Sequence, residues 1–355
     1  MTTPLAEILI RRIRQDGPVS LADYMAECLL HPQHGYYATR DPFGAAGDFI
    51  TAPEISQMFG EMIGLALAQT WMDQGRPQNV VLAELGPGRG TLMADILRAT
   101  KTVPQFHDSL SVHLVEASET LRAAQQDTLK GYDVAWHSLV SELPQGPLFL
   151  VANEFIDALP IRQFERADTG WRERLVRVDD QGNLGLGLSP ETAYDSLVHR
   201  LSDTKAGDIV ETCPAALAVI DEIGHRIENN GGTALIIDYG DWRSLGDTFQ
   251  ALKGQQFCDP FAAPGEADLT AHVDFEALAA ATPSSYSRVT PQGVFLERLG
   301  ITHRAQVLAG SMGEQELTKH IAAHRRLTHP DEMGNLFKVM ALFPKGQNPP
   351  PGLET

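Results

Sequence analysis

The sequence predicts an α/β fold: a mostly parallel sheet with helices on both faces, a helical cap in front of it and two insertions within it. Three observations carry this. Short apolar runs alternate with amphipathic segments between residues 80 and 152. The first run, Val80-Val81-Leu82-Ala83, opens directly onto a glycine-rich turn, ELGPGRG, at residues 84–90. Hydrophobic residues make up 43% of the 355, enough for a large core. Strand–helix–strand alternation implies parallel pairing, because each crossover helix returns the chain to the same end of the sheet.

In order along the chain, the first 30 residues read as two short helices around the break Asp16-Gly17-Pro18, with Leu5, Ile8, Leu9 and Ile13 on one face. A loop-rich stretch, HPQHGYYATRDPFGAAGDFITAPE, follows. It ends in Thr51 with Glu54 three positions on, the signature of a capping box. Ile55, Met58, Phe59, Met62, Ile63, Ala66, Leu67 and Trp71 then recur at helical spacing until Gly75. Residues 1–75 are thus expected to form a helical cap with a lid loop. Strands are expected at 80–85, 112–116, 133–137 and 147–152, with helices at 91–98 and 119–130, making 76–160 the first half of a ligand-binding domain. The pattern lapses over 161–212, where strand-like pieces (162–164, 172–178) precede the polar run DDQGNLGLG; this is an expected insertion. A helix at 215–228 and a buried strand at 233–238 resume the sheet within 213–240. A second insertion is expected over 241–285. Strands at 287–290 and 336–343, with a helix at 314–326 between them, should close the sheet as an antiparallel pair within 286–345. The tail GQNPPPGLET, 346–355, is expected to be disordered.

Charge removes several functions. There are 46 acidic against 28 basic residues, a formal net charge of -18. That opposes nucleic-acid binding, which needs a basic surface for phosphates, and equally an anionic membrane surface. No apolar run approaches the roughly 20 residues that span a bilayer. At the N-terminus arginines follow the apolar residues, unlike a signal peptide. Cys28, Cys213 and Cys258 stand far apart with no CxxC, which fits a reducing, cytoplasmic setting. His31 with His34, and His320 with His324, have ligand-like spacing but no Cys or H-E-x-x-H context, so no metal is expected. No G-x-S-x-G elbow supports acyl transfer.

The glycine turn is the informative motif. Its spacing, Gly86-Pro87-Gly88-Arg89-Gly90, is not the dinucleotide G-x-G-x-x-G, because Thr91 stands where the third glycine would be. No Gly-Lys-Ser/Thr follows, so it is no P-loop. It suits a nucleoside with an amino-acid tail, such as S-adenosylmethionine, lying against the backbone of Gly86, Pro87, Gly88 and Gly90. Glu84 would then position the ligand's ammonium. Glu116, ending the second strand, would accept hydrogen bonds from both ribose hydroxyls, a device NAD sites share. A plainer reading also stands: the glycines only let helix and strand pack closely, and Glu116 only flanks a helix.

Seven stretches, GYYATRDPFGAAGDFITAPEISQMFGEMIG, AELGPGRGTLMADILRA, VANEFIDALPIRQF, LIIDYG, DTFQALKGQQFCDPFAAPGEADLTAHVDF, GVFLERLGI and MGNLFKVMALF, resemble in order the MidA-type S-adenosylmethionine-dependent methyltransferases. The resemblance runs from about residue 5 to 344. Ile156 stands where that family often has phenylalanine, and Phe257-Cys258 falls in a variable stretch. The resemblance implies a class I, Rossmann-like methyltransferase fold with S-adenosylmethionine as cofactor. The family includes a mitochondrial complex I assembly factor. From it the resemblance implies symmetric dimethylation of an arginine on the NADH dehydrogenase subunit near the quinone site, hence a protein partner; a homodimer is also allowed for.

Arginine is a poor nucleophile because its guanidinium is charged. Carboxylates that clamp it in two places can aim one nitrogen at the methyl and stabilise the cation that persists. Glu154 and Asp157, with Asn153, follow the fourth strand and are the expected clamp. The alternative is that Asp157 caps a turn and Asn153 braces a loop. Asp238-Tyr239-Gly240, ending the fifth strand on the same sheet edge, could line the pocket, or Asp238 could simply end a buried strand. Gly47 and Asp48, in GDFIT, are expected in a lid over the cofactor; otherwise that loop only enters the helix. His272, in DLTAHVDF, could accept the proton lost on methylation, or be structural. Two other functions stay open: a non-catalytic cofactor-binding assembly chaperone, and a nicotinamide oxidoreductase, which Thr91 disfavours.

Overall fold

The computed structural model describes residues 3–39 and 50–355. The long strands of its main sheet lie in the order Val134–His137, Leu110–Val115, Val80–Leu85, Leu148–Asn153, Gly232–Asp241 and Phe337–Phe343. The first five are parallel and the last is antiparallel. The chain starts at Val80–Leu85, builds outward on one side, then crosses to Leu148–Asn153 on the other. Strand order therefore reverses between these two neighbours. Ligands of open α/β sheets bind beyond the carboxyl ends of strands at such a reversal.

Side-chain alternation explains why the strands are apolar throughout. Leu82, Phe149, Val151, Leu235 and Ile237 face helices Gln57–Asp73 and Thr91–Thr100. Val81, Ala83, Leu150, Ala152, Ala234 and Ile236 face helix Pro214–Asn230.

Three differences from expectation have local causes. The long helix does not start at a Thr51–Glu54 capping box. Residues Ala52–Ile55 make a separate short turn, and Thr51's side chain makes no cap bond. Ser56 is extended and caps Gln57–Asp73 by accepting the Met58 N–H at 3.2 Å. Glu54 is drawn away to the Thr91 hydroxyl, 2.5 Å. The expected strand at 287–290 is two pieces, Ser285–Tyr286 and Thr290–Pro291, both paired with Phe337–Phe343. Between them the Ser287 hydroxyl, rather than a carbonyl, accepts the Ala341 N–H. The tail is ordered: Leu353 is buried, Arg298 donates to the Gly352 carbonyl at 3.2 Å and the Arg288 N–H to the Glu354 carbonyl at 2.7 Å. Its prolines reduce the entropy lost on docking.

The insertions and the cap are not independent. Arg162–Arg166, Trp171–Val178, Leu184–Leu188 and Ile209–Thr212 form an antiparallel sheet that recruits Val19–Ser20 from the cap. The second insertion adds a small sheet of Gln250–Lys253, Gln256–Cys258 and Asp268–Thr270. Leu5, Leu9, Tyr24, Ile161, Val176 and Leu269 pack all three segments into one core. No described helix is long and apolar enough to cross a membrane.

Candidate active site

The turn after Val80–Leu85 holds Gly86, Gly88 and Gly90 at φ of 58°, 53° and 81°. Only glycine enters this region cheaply. Gly86 also lies so near Phe155 that a Cβ would sit 2.8 Å from its ring. Glu84 is buried just before the turn, and its Oε2 has no hydrogen-bond partner. Burial pushes its carboxyl up to about 8, against the Met93 N–H that favours its charge. A buried carboxyl oxygen without a partner suits a cationic donor, and an ammonium group fits it.

Glu116 follows the next strand and is also buried. Its Oε1 accepts the Ser118 N–H at 2.8 Å and its Oε2 the Gln125 amide at 3.2 Å. Gln125 is the residue sequence reasoning missed here. The same amide donates to the Gly88 carbonyl at 2.8 Å, and its Oε1 accepts from Trp136 Nε1 at 2.9 Å. It thus ties the glycine turn to Glu116. The legible signal was a polar residue four positions from buried Leu121, on the inward face of an amphipathic helix.

The loop after Leu148–Asn153 carries the acidic residues. Glu154 has φ of 52°, a strained value for a non-glycine, held by its N–H donating to the Ile237 carbonyl at 2.9 Å. Its Oε1 accepts the Ala52 N–H at 2.9 Å and the Asn153 amide at 3.1 Å. Asp238 does not line the cavity: it accepts the backbone N–H groups of Ile156 and Asp157, at 2.9 and 3.2 Å, and so shapes this loop. Asn153 Oδ1 and Asp157 Oδ1 are buried without partners. Burial pushes Glu154 up to about 7; burial and the Glu154 charge push Asp157 up to about 7.

Two spaces meet at Glu154. One is a narrow cleft of about 30 Å³ between Glu84, the glycine turn and Asn153, walled by Thr51, Pro53 and Glu54. A nucleoside ligand needs about 300 Å³ or more, so displacing that wall is what would admit one. The other is a cavity of about 320 Å³ lined by Glu154, Asp157, Asp268, Tyr37, Tyr239 and His272, among others. Tyr37, from the cap, donates to Asp268, from the second insertion, at 2.9 Å. The His272 ring meets Tyr239 edge-on at 5.3 Å, and burial lowers its pKa, so it is neutral at pH 7. Asp274 is a helix cap, accepting the Ala277 N–H at 3.0 Å. Among the described residues no ion pair involves Glu154 or Asp157; Arg326 is the cation whose field reaches Glu154.

The structure therefore brings Glu84, Gly86, Pro87, Gly88, Asn153 and Glu154 to one cleft, and Glu154, Asp157 and His272 to the adjoining cavity. Glu116 lies one strand away, joined through Gln125. Gly47 and Asp48 lie outside the described residues. Tyr37 and Asp268 are cavity residues to which sequence reasoning gave no role; of the stretch 238–240 it is Tyr239 that lines the cavity.

The raised carboxyls have a consequence for stability. Glu84, Glu154 and Asp157 hold protons more tightly folded than unfolded. Between their ordinary and raised pKa values the folded state binds more protons, so unfolding free energy falls as pH rises from about 5 to about 8. Scanning calorimetry should show a lower melting midpoint at the alkaline end, with the slope flattened in Glu154→Gln. A midpoint that climbs across this range would contradict the burial of these groups.

A glycine turn at the strand reversal, with one buried carboxyl oxygen of Glu84 and one of Asp157 left unpaired near two strand ends, fits a class I S-adenosylmethionine-dependent methyltransferase. Residues 62–293 match the model of a family described as S-adenosyl-L-methionine-dependent methyltransferases, and the chain belongs to that family. Among its relatives is the human protein arginine methyltransferase NDUFAF7, mitochondrial, 36% identical over 96% of this chain and 84% of its own length. The Drosophila melanogaster homologue is 36% identical over 96% of this chain and 85% of its own. A Burkholderia thailandensis crystal structure of the same kind, bound to S-adenosyl-homocysteine, superposes with a TM-score of 0.83 at 30% identity, covering 98% of this chain and 93% of that one.

Proposed function

We propose that the protein methylates the terminal nitrogens of an arginine in a protein substrate, a subunit of NADH dehydrogenase, giving the symmetric dimethyl product and assisting assembly of that complex. The observation that carries this reading is a pair of carboxyl groups on one cavity, half-buried Glu154 and buried Asp157, that have no ion-pair partner among the described residues, with Glu154 also bordering the cleft of the glycine turn. A guanidinium supplies the missing positive charge and its fork of N–H donors matches two carboxylates. Bound S-adenosylmethionine supplies an electrophilic methyl group. Glu84 would hold its ammonium, Glu116 its ribose, and the backbone of Gly86, Pro87, Gly88 and Gly90 its remaining contour. Asn153 orients Glu154. Glu154 and Asp157 fix which nitrogen faces the cofactor cleft and stabilise the positive charge that survives the reaction. The nitrogen that gains a methyl sheds a proton, and neutral His272 at the cavity wall is its acceptor.

The arginine assignment draws on the names of the relatives, and the NADH dehydrogenase assignment on the family resemblance. A cytoplasmic setting belongs to the same reading, supported by three free thiols; the named relatives are mitochondrial. A homodimer would show as doubled mass in sedimentation. Mass spectrometry of NADH dehydrogenase from cells with and without this gene tests the whole. One arginine should carry two methyl groups, one on each terminal nitrogen, only when the gene is present. Identical methylation in both samples would overturn the proposal.

A further inference from the structure

The acidic cavity has an apolar rim that the chemistry of methyl transfer does not use. Strands Gln250–Lys253 and Gln256–Cys258 form a tight hairpin whose turn, Gly254-Gln255, has φ of 57° and 61°. Two successive left-handed residues match the twist of a two-residue hairpin and hold it rigidly. Leu252 and Phe257 are direct cross-strand partners, so both side chains stand on one face, and both line the cavity. Phe257 is 75% exposed, the most exposed large hydrophobic side chain among the described residues. Leu336, 51% exposed, lines the same cavity from the C-terminal segment. An exposed aromatic on a fixed hairpin, above a floor of carboxylates, is unfavourable in water and useful only when covered.

We propose that this rim selects the sequence around the target: the cavity takes an arginine whose neighbour in the chain is a large apolar residue, the guanidinium going down to Glu154 and Asp157 and the neighbour lying on Phe257, Leu252 and Leu336. This rests on the arginine reading above and deepens it. Charge complementarity chooses the occupant: an acidic floor beneath an apolar rim fits a basic–apolar pair on a peptide. A lipid surface does not, because its anionic headgroups would meet the carboxylates.

Binding separates this from the reading beneath it. Short blocked peptides with a single arginine flanked by leucine or by glycine are titrated into the enzyme saturated with S-adenosylhomocysteine, with fluorescence anisotropy as readout. The leucine-flanked peptide should bind about tenfold tighter, the gain from burying most of one apolar side chain. Phe257→Ala should bring the two within about twofold of each other while leaving the glycine-flanked affinity unchanged. As an exposed hairpin residue its replacement leaves the core intact, which an unchanged melting midpoint verifies. Equal affinities in the wild type overturn the inference, as does a Phe257→Ala variant that weakens both peptides alike. So does a wild type that self-associates through this face and a Phe257→Ala variant that does not, which would make the rim a contact between copies. Failure of the arginine reading itself looks different: lysine peptides bind as well as arginine ones, or no arginine peptide binds at all.

Discussion

Glu154→Gln should lower methyl transfer by at least about a hundredfold. A hydrogen bond to a charged group contributes about 1.5–3 kcal/mol, and a forked guanidinium contact makes two. The substitution removes the charge and little else. Glutamine keeps an oxygen for the Ala52 N–H and the Asn153 amide, and the backbone at φ of 52° is no worse for Gln than for Glu. Affinity for S-adenosylhomocysteine should stay within about threefold, since the residues proposed for its ends, Glu84 and Glu116, are untouched. Single-turnover transfer to substrate measures the first quantity and calorimetry the second. Wild-type transfer by Glu154→Gln would remove the guanidinium clamp from the proposal. Lost methylation with normal assembly of NADH dehydrogenase in cells would show instead that the chain acts by binding its partner.

Gly88→Val should abolish cofactor binding, raising the dissociation constant for S-adenosylhomocysteine by at least about a hundredfold. Two effects combine. The side chain projects from a turn that lines the cleft proposed for the cofactor. The backbone, at φ of 53°, is a region a β-branched residue enters only at a cost of about 1–2 kcal/mol. Relaxation is opposed because Gln125 grips the Gly88 carbonyl. The variant should therefore stay folded by circular dichroism but melt a few degrees lower. Wild-type cofactor affinity would show that the turn serves only helix–strand packing. Loss of helicity altogether would do the same, because the turn would then be required by the fold rather than by a ligand.

The glycine turn, proposed here for the cofactor, was legible because its determinants are local. Three glycines in five positions suit a backbone that turns left-handed at each of them, and that requirement is written in consecutive residues. Glu84 and Glu116 were legible because each sits at the end of an apolar strand, where a carboxylate has no packing role. The substrate side was half hidden. Glu154 and Asp157 follow a strand and could be read; Tyr37 and Asp268 could not, because the bond between them spans 231 residues and joins the cap to the second insertion. The pairing of Val19–Ser20 with residues 175–176 is hidden for the same reason: a two-residue strand has no periodicity to detect. Composition misled at the tail, where three prolines and two glycines resemble disorder, yet Leu353 finds a buried site. The capping signature at Thr51 and Glu54 misled more usefully. Glu54 accepts from Thr91 and walls the cleft beside the glycine turn, so a residue that reads as helix punctuation borders the candidate site.

A crystal structure with bound S-adenosylmethionine tests the central claim most directly. The donor should lie along residues 86–90 with its ammonium on Glu84 and its ribose hydroxyls on Glu116, and with the sulfonium methyl directed past Glu154 into the cavity of Asp157 and His272. A donor bound elsewhere, or one bound here with its methyl turned away from those carboxylates, would contradict it.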